Sequence, residues 1–149
     1  MGLVVNKVLE QLTLPELMQQ LGIEMAGVSG RPPVHFGGPV ECGRGFVLHS
    51  SDYVDTGTLV IGDALALTAT LDILRAIGRG QGPRRSLLAL GYAGWGPGQL
   101  DAEMQSNSWI HVPADEAIVF DDGVADKWQR ALAKLGINPL SLSGDAGHA

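Results

Sequence analysis

The fold class this 149-residue sequence predicts is α+β, on three observations. Strand-type runs and helical repeats alternate irregularly, without the steady β-α-β spacing of a doubly wound sheet. Hydrophobic residues make up 45% of the chain, enough for the core of one compact domain, and no Ser/Pro/Gln-rich linker divides it. Ser86-Leu87-Leu88-Ala89-Leu90 is almost continuously apolar, the pattern of a strand buried on both faces and hence central in its sheet.

Taken in order, Leu3-Val4-Val5 reads as a first strand. Thr13-Leu14-Pro15-Glu16 has the spacing of a capping box with proline tolerated in the first turn, and the helix it opens should run to about Leu21 and stop at Gly22. Residues 26–45 hold so many glycines and prolines that loops with one short strand are expected. Phe46-Val47-Leu48-His49 and Thr58-Leu59-Val60-Ile61 read as neighbouring strands joined by a polar turn. Leu71, Leu74 and Ile77 recur at helical spacing, predicting a helix over 68–77 that ends before Gly78 and Gly80. After the central strand, Gln99 to Ser106 reads as a short helix turning Leu100 and Met104 inward. Trp109-Ile110-His111-Val112 and Ala117-Ile118-Val119-Phe120 read as two further strands, and Val124, Trp128, Leu132 and Leu135 share one face of a final helix.

Charge narrows the function. Ten basic residues against sixteen acidic ones give a net charge of −6. That opposes the phosphate attraction on which nucleic-acid binders depend, so direct DNA binding is not expected. The acidity concentrates after residue 100, where eight acids face three bases. The lone Cys42 can form no intramolecular disulfide and no multi-cysteine metal site, which suits a reducing compartment. No apolar stretch approaches a membrane span and Met1–Glu10 lacks the shape of a signal peptide, so a cytoplasmic protein without membrane contact is expected.

The densest signal is Gly91-Tyr92-Ala93-Gly94-Trp95-Gly96-Pro97-Gly98-Gln99-Leu100, four glycines around a tryptophan between a strand and a helix. A phosphate cradle is one reading, because such a turn presents backbone N–H groups to an anion. Yet no Lys-Ser/Thr pair follows, and Gly-x-Gly-x-x-Gly fails from Gly94, where Gln99 stands in the third glycine's place, and from Gly96, where Asp101 does. A tight structural turn packing Trp95 is the simpler reading. Arg44 lies five residues before His49, an odd offset that points them to opposite faces of a strand unless a bulge at Gly45 intervenes. His35, His111 and His148 have no i, i+4 partner, so no metal site and no cofactor are expected. Arg75, Arg79, Arg84 and Arg85 form the one basic cluster; without interleaved aromatics it reads as a solvated face.

These blocks resemble the YqgE/AlgH family of bacterial proteins. The likeness rests on Met1 to Lys7, Gly37-Gly38-Pro39-Val40, Arg44 to His49, Ala89 to Trp95, Gly98-Gln99-Leu100, Asn107-Ser108-Trp109, Asp126-Lys127-Trp128, Leu135-Gly136-Ile137 and Gly147-His148-Ala149. The resemblance implies a strongly bent mixed sheet forming a pseudo-barrel with flanking helices, and a cytosolic protein labelled as a transcriptional regulator. It transfers no catalytic residues. Family members have a segment before the Gly-Leu-Val-Val-Asn block, so Met1 is expected to be an internal methionine and Leu3-Val4-Val5 an exposed apolar edge.

Residues and resemblance together predict a non-enzymatic regulatory or binding protein with a protein or small-molecule partner. The expected groove is formed by Gly37, Gly38, Pro39, Arg44, His49, Gly94, Trp95, Gly96 and Gln99. The alternative is an enzyme for a small anionic substrate, with Arg44 holding the anion and His49 as acid or base.

Overall fold

The computed structural model describes residues 1–142. Its strands are β1 (Val8–Thr13), β2 (Pro33–Phe36), β3 (Val40–Ser50), β4 (Thr58–Ile61), β5 (Leu65–Thr68) and β6 (Ser86–Tyr92). Its helices are α1 (Leu14–Gln20), α2 (Leu71–Gly78), α3 (Gln99–Gln105), α4 (Glu116–Val119) and α5 (Lys127–Lys134). The strands form one sheet in the order β1-β2-β6-β3-β5-β4. The β2–β6 pair is parallel and the others are antiparallel, so the sheet is mixed and the fold α+β. Irregular register within β1 and between Val40 and Gly45 of β3 marks bulges, which bend the strands that carry them.

Hydrophobic pairing explains the centre. Leu87, Leu88 and Ala89 of β6 are buried, as the apolar run predicts. Met18 of α1 and Ile73 and Leu74 of α2 pack over Val34, Val47 and Leu88 of the sheet. Burying such a side chain contributes about 1.5–3 kcal/mol each. Helix α1 begins where the sequence places it: the Glu16 carboxylate accepts from the Thr13 amide and from the Thr13 hydroxyl, each at 2.8 Å.

Several expectations are corrected. Leu3-Val4-Val5 is not a strand; Gly2 bridges Ala93 while the Val4 N–H donates to the Gly37 carbonyl at 2.8 Å. Two bonds to two different segments cannot propagate a ladder, and the strand starts at Val8, where pairing with β2 begins. Residues 65–68 are the strand β5, lying between β3 and β4, so β3 and β4 are not neighbours. Residues 40–45 extend β3 despite Gly43 and Gly45. Trp109 to Val112 is irregular and Ala117 to Val119 is helical. The Asp115 carboxylate accepts from the Ala117 amide at 2.9 Å and caps that turn, a local signal that outweighs the β-type composition of Ile118 and Val119. Helix α3 buries no residue, and Met104 on it is 41% exposed. In α5 Leu132 is buried but Trp128 is exposed, as is Leu135 just past the helix end. His148 and the closing Gly147-His148-Ala149 lie outside the described residues.

Candidate functional site

Gly37 and Gly38 abut the end of β6. A Cβ on Gly37 would stand 2.2 Å from the Gly91 carbonyl oxygen, and one on Gly38 would stand 2.1 Å from the Tyr92 carbonyl carbon. Two backbones cross at a distance that only glycine permits. Gly91 adds a φ of 75°, which kinks β6 one residue before its end. The crossing thus brings 37–39, 91–95 and the Gly2–Val4 segment into one region. Gly2 lies so close to the Trp95 ring that a Cβ there would be 3.1 Å from it.

The turn itself is open: Gly94, Gly96, Pro97, Gly98 and Gln99 are exposed. The Gly96 N–H, which a phosphate cradle would offer outward, instead donates to Gln99 Oε1 at 3.0 Å. The Gln99 amide then donates to Glu103 Oε1 at 2.9 Å. Glu103 Oε2 accepts two indole N–H groups, from Trp95 at 3.0 Å and from Trp109 at 2.8 Å. The two indoles meet edge to face, 5.8 Å between centroids and 70° between planes. Hydrogen bonds from Trp109, Gln99 and Trp95, in that order of weight, hold the Glu103 carboxyl below the usual glutamate range.

The other expected members lie apart. Arg44 is exposed, pairs with Glu41 at 3.4 Å and covers the Phe46 ring at 5.1 Å. Phe46 packs edge-on against Tyr92, centroids 5.7 Å apart, which is the path linking Arg44 to the turn. His49 pairs with Ser86, six residues before Tyr92 on β6, and so lies about 20 Å along the strand from that end. It is fully buried, with Nδ1 at 2.9 Å from the Ser50 carbonyl and Nε2 at 2.8 Å from the Thr68 hydroxyl. The bulge lies before Gly45, and from Gly45 to His49 the register is regular, so the two side chains are not brought together. The Pro39 carbonyl accepts from the Cys42 thiol at 3.3 Å.

Sequence reasoning missed Glu103 and Trp109 as members of this cluster. The i, i+4 spacing of Gln99 and Glu103 on one helical face was the available signal. It also missed Lys127, buried in α5 with its Nζ donating to the Val119 carbonyl at 2.5 Å and lining an apolar groove of about 340 Å³ with Trp128 and Ile118. His35 is buried beside a cavity of about 140 Å³, and its Nδ1 has no hydrogen-bond partner among the described residues. Burial, and then the charge of Lys127, pushes the His35 imidazole below its ordinary value. Among the described residues no group of three metal-ligating side chains converges, and no helix is long and apolar enough to cross a membrane.

The sequence profile of the AlgH-like family matches residues 1–140, and the chain belongs to that family. It is similar to a UPF0301 protein of Rhodospirillum rubrum, 55% identical over 149 residues that span 100% of this chain and 78% of the relative. A UPF0301 protein of Bradyrhizobium diazoefficiens is 53% identical over 157 residues, covering 100% of this chain and 73% of its own. The solution structure of the AlgH protein from Pseudomonas aeruginosa matches with a TM-score of 0.75 and 42% identity, covering 100% of this chain and 79% of that one. The X-ray structure of a Corynebacterium diphtheriae protein shares the fold at 18% identity, with a TM-score of 0.69 over 93% of this chain and 71% of that one.

Proposed function

We propose that this protein is a non-enzymatic cytoplasmic regulatory or binding protein that engages its partner through the face around the Gly94–Gly98 turn. The observation that carries the reading is the combination of an open turn with two indoles fixed by one carboxylate. Tryptophans whose ring positions are set in advance lose little freedom on binding, and such residues dominate recognition surfaces. Gly37 and Gly38 cross the backbone at Gly91 to Ala93, just before the turn, and Arg44 lies over Phe46, which packs against Tyr92. A net charge of −6 favours action through a protein or small ligand over contact with DNA.

The test is partner capture from native lysate with tagged protein, with and without nuclease, beside a bait carrying Trp95→Ala and Trp109→Ala that is checked for folding by circular dichroism. A nuclease-resistant partner retained by the parent and lost by the variant is the expected result. Tight, sequence-selective DNA binding in a gel shift at moderate salt, or a partner that the folded variant keeps in full, overturns the reading.

A further inference from the structure

We infer that the partner presents a cationic side chain, an arginine or lysine of a basic protein segment, which lodges in the corner between Trp95 and Trp109 beside Glu103. The inference rests on the proposed binding face and specifies its chemistry. Two indoles meeting edge to face, with planes at 70° and centroids 5.8 Å apart, leave a corner between one ring and the plane of the other. A cation over an indole face is attracted by the ring quadrupole, and tryptophan is the ring that does this best. Half of the Trp109 surface is open to solvent, so a partner can reach it. The third element is charge: Glu103 lies at the corner with its carboxyl held ionised, adding a direct Coulomb attraction that an aromatic pair alone lacks.

The surroundings favour a cation from outside. Residues 101–149 carry eight acids and three bases. All three bases are engaged elsewhere: Lys127 on the Val119 carbonyl, Arg130 on the Ala117 carbonyl and on Asp121, Lys134 on the Pro113 carbonyl and on Asp115. The cation–ring contacts of the described residues are Lys7 on Phe36 and Arg44 on Phe46, so no internal cation lies over either indole. The corner belongs to an open surface, with Trp109 half exposed and the neighbouring turn residues Gly94, Gly96 and Gly98 exposed. That geometry suits a side chain held out by a partner protein better than a free small molecule, which needs enclosure for its affinity. Arginine fits best, because its planar guanidinium stacks on one indole while still donating to a carboxylate.

The experiment titrates the 15N-labelled protein at low salt with the peptide acetyl-Gly-Arg-Gly-Arg-Gly-amide and, separately, with its Glu counterpart, following the indole N–H resonances. The Arg peptide is expected to shift Trp95 and Trp109 together and leave Trp128 in place, and the Glu peptide to shift neither. Trp109→Ala and Glu103→Gln should each weaken binding about tenfold, and Trp109→Phe, which keeps a ring face, by less. Since Glu103→Gln also disturbs the indole anchors, Trp109→Phe serves as the variant that keeps the aromatic wall. Failure of the Arg peptide to move either indole overturns the inference, as does equal binding of the Glu peptide or a response confined to Trp128. A captured partner that Trp109→Ala releases, but that Glu103→Gln and excess Arg peptide leave bound, would refute the cation while sparing the binding face. Capture of no partner, with the peptide still binding at the corner, would refute the broader reading alone.

Discussion

Residues 8–92 and residues 93–142 are held together by different means. Among the described residues, the first region contains the whole sheet and every buried hydrophobic residue except Leu132. Its order comes from the burial of apolar surface between two helices and one face of the strands. The second region has no strand, and α3 and α4 bury none of their residues. It is fastened by polar links across short distances: two indoles on Glu103, lysines and an arginine on carbonyls, and aspartates on turn amides. Each such link, charge-assisted but largely exposed, is worth about 0.5–3 kcal/mol net, against about 2–5 for a well-packed core side chain, so the second region should open locally while the first stays folded. The face with half-buried Trp95 and exposed Trp109 belongs to the looser region, where a partner can be accommodated without disturbing the core.

The comparison can be broken most sharply in the core. Ile73→Ala removes a fully buried side chain between α2 and the sheet and is expected to cost about 4 kcal/mol in urea denaturation. A loss below about 1 kcal/mol would mean that α2 is no more tightly held than the C-terminal helices. Gly37→Ala drives a Cβ to 2.2 Å from the Gly91 carbonyl oxygen, and about 2–3 kcal/mol should be lost as the crossing spreads, read from the thermal midpoint.

The third prediction concerns pH and the His35 imidazole. Its folded-state proton affinity is lowered while the unfolded chain keeps the ordinary value, so on acidification the unfolded state takes up the proton first. This contribution to stability is therefore complete above about pH 6.5 and is lost as pH falls below it, by at most about 1.4 kcal/mol per pH unit. The difference between the denaturation midpoints of the parent and His35→Phe should be constant above about pH 6.5 and change below it, with the parent falling faster in acid. Parallel curves would refute it.

Two smaller effects sharpen the boundary. Glu103→Gln removes the charge and leaves one acceptor oxygen, so the Gln99 amide or both indole N–H groups lose their partner; it should move the Trp95 and Trp109 indole resonances and raise amide exchange across 95–109, while the global unfolding midpoint stays in place. A fall in that midpoint would show that the cluster supports the core as well. Smallest of all, Arg75→Ala breaks an exposed pair with Asp72 at 2.7 Å and should change stability by less than about 0.5 kcal/mol in the same denaturation assay.

Legibility in the sequence follows the same division. The cap at Thr13, the strand at Thr58–Ile61, the buried central strand and the helix after Gly98 are all encoded within a few neighbouring residues, and they stand where local chemistry places them. Strand β5 escaped notice because Leu65-Ala66-Leu67-Thr68 is too short for its period to tell strand from helix. Trp109 to Val112 failed as a strand because strand-forming composition needs a pleated neighbour to pack on, and the sheet offers none there.

For the site, the sequence by itself determined the ingredients: the glycine-rich turn, Trp95, Gln99, the acidic C-terminal third and the glycines at 37 and 38. The tertiary structure alone decided their grouping. Residues such as Arg44 and His49, close along one strand, were sent to an exposed surface and to the core, because solvent exposure along β3 changes from one end to the other. Trp109, fourteen residues from Trp95, was instead folded back onto the same carboxylate, which the part-buried Trp95 N–H already uses as its acceptor. Hydrogen-bond satisfaction across space is a property of the folded chain, and no local pattern of residues spells it out.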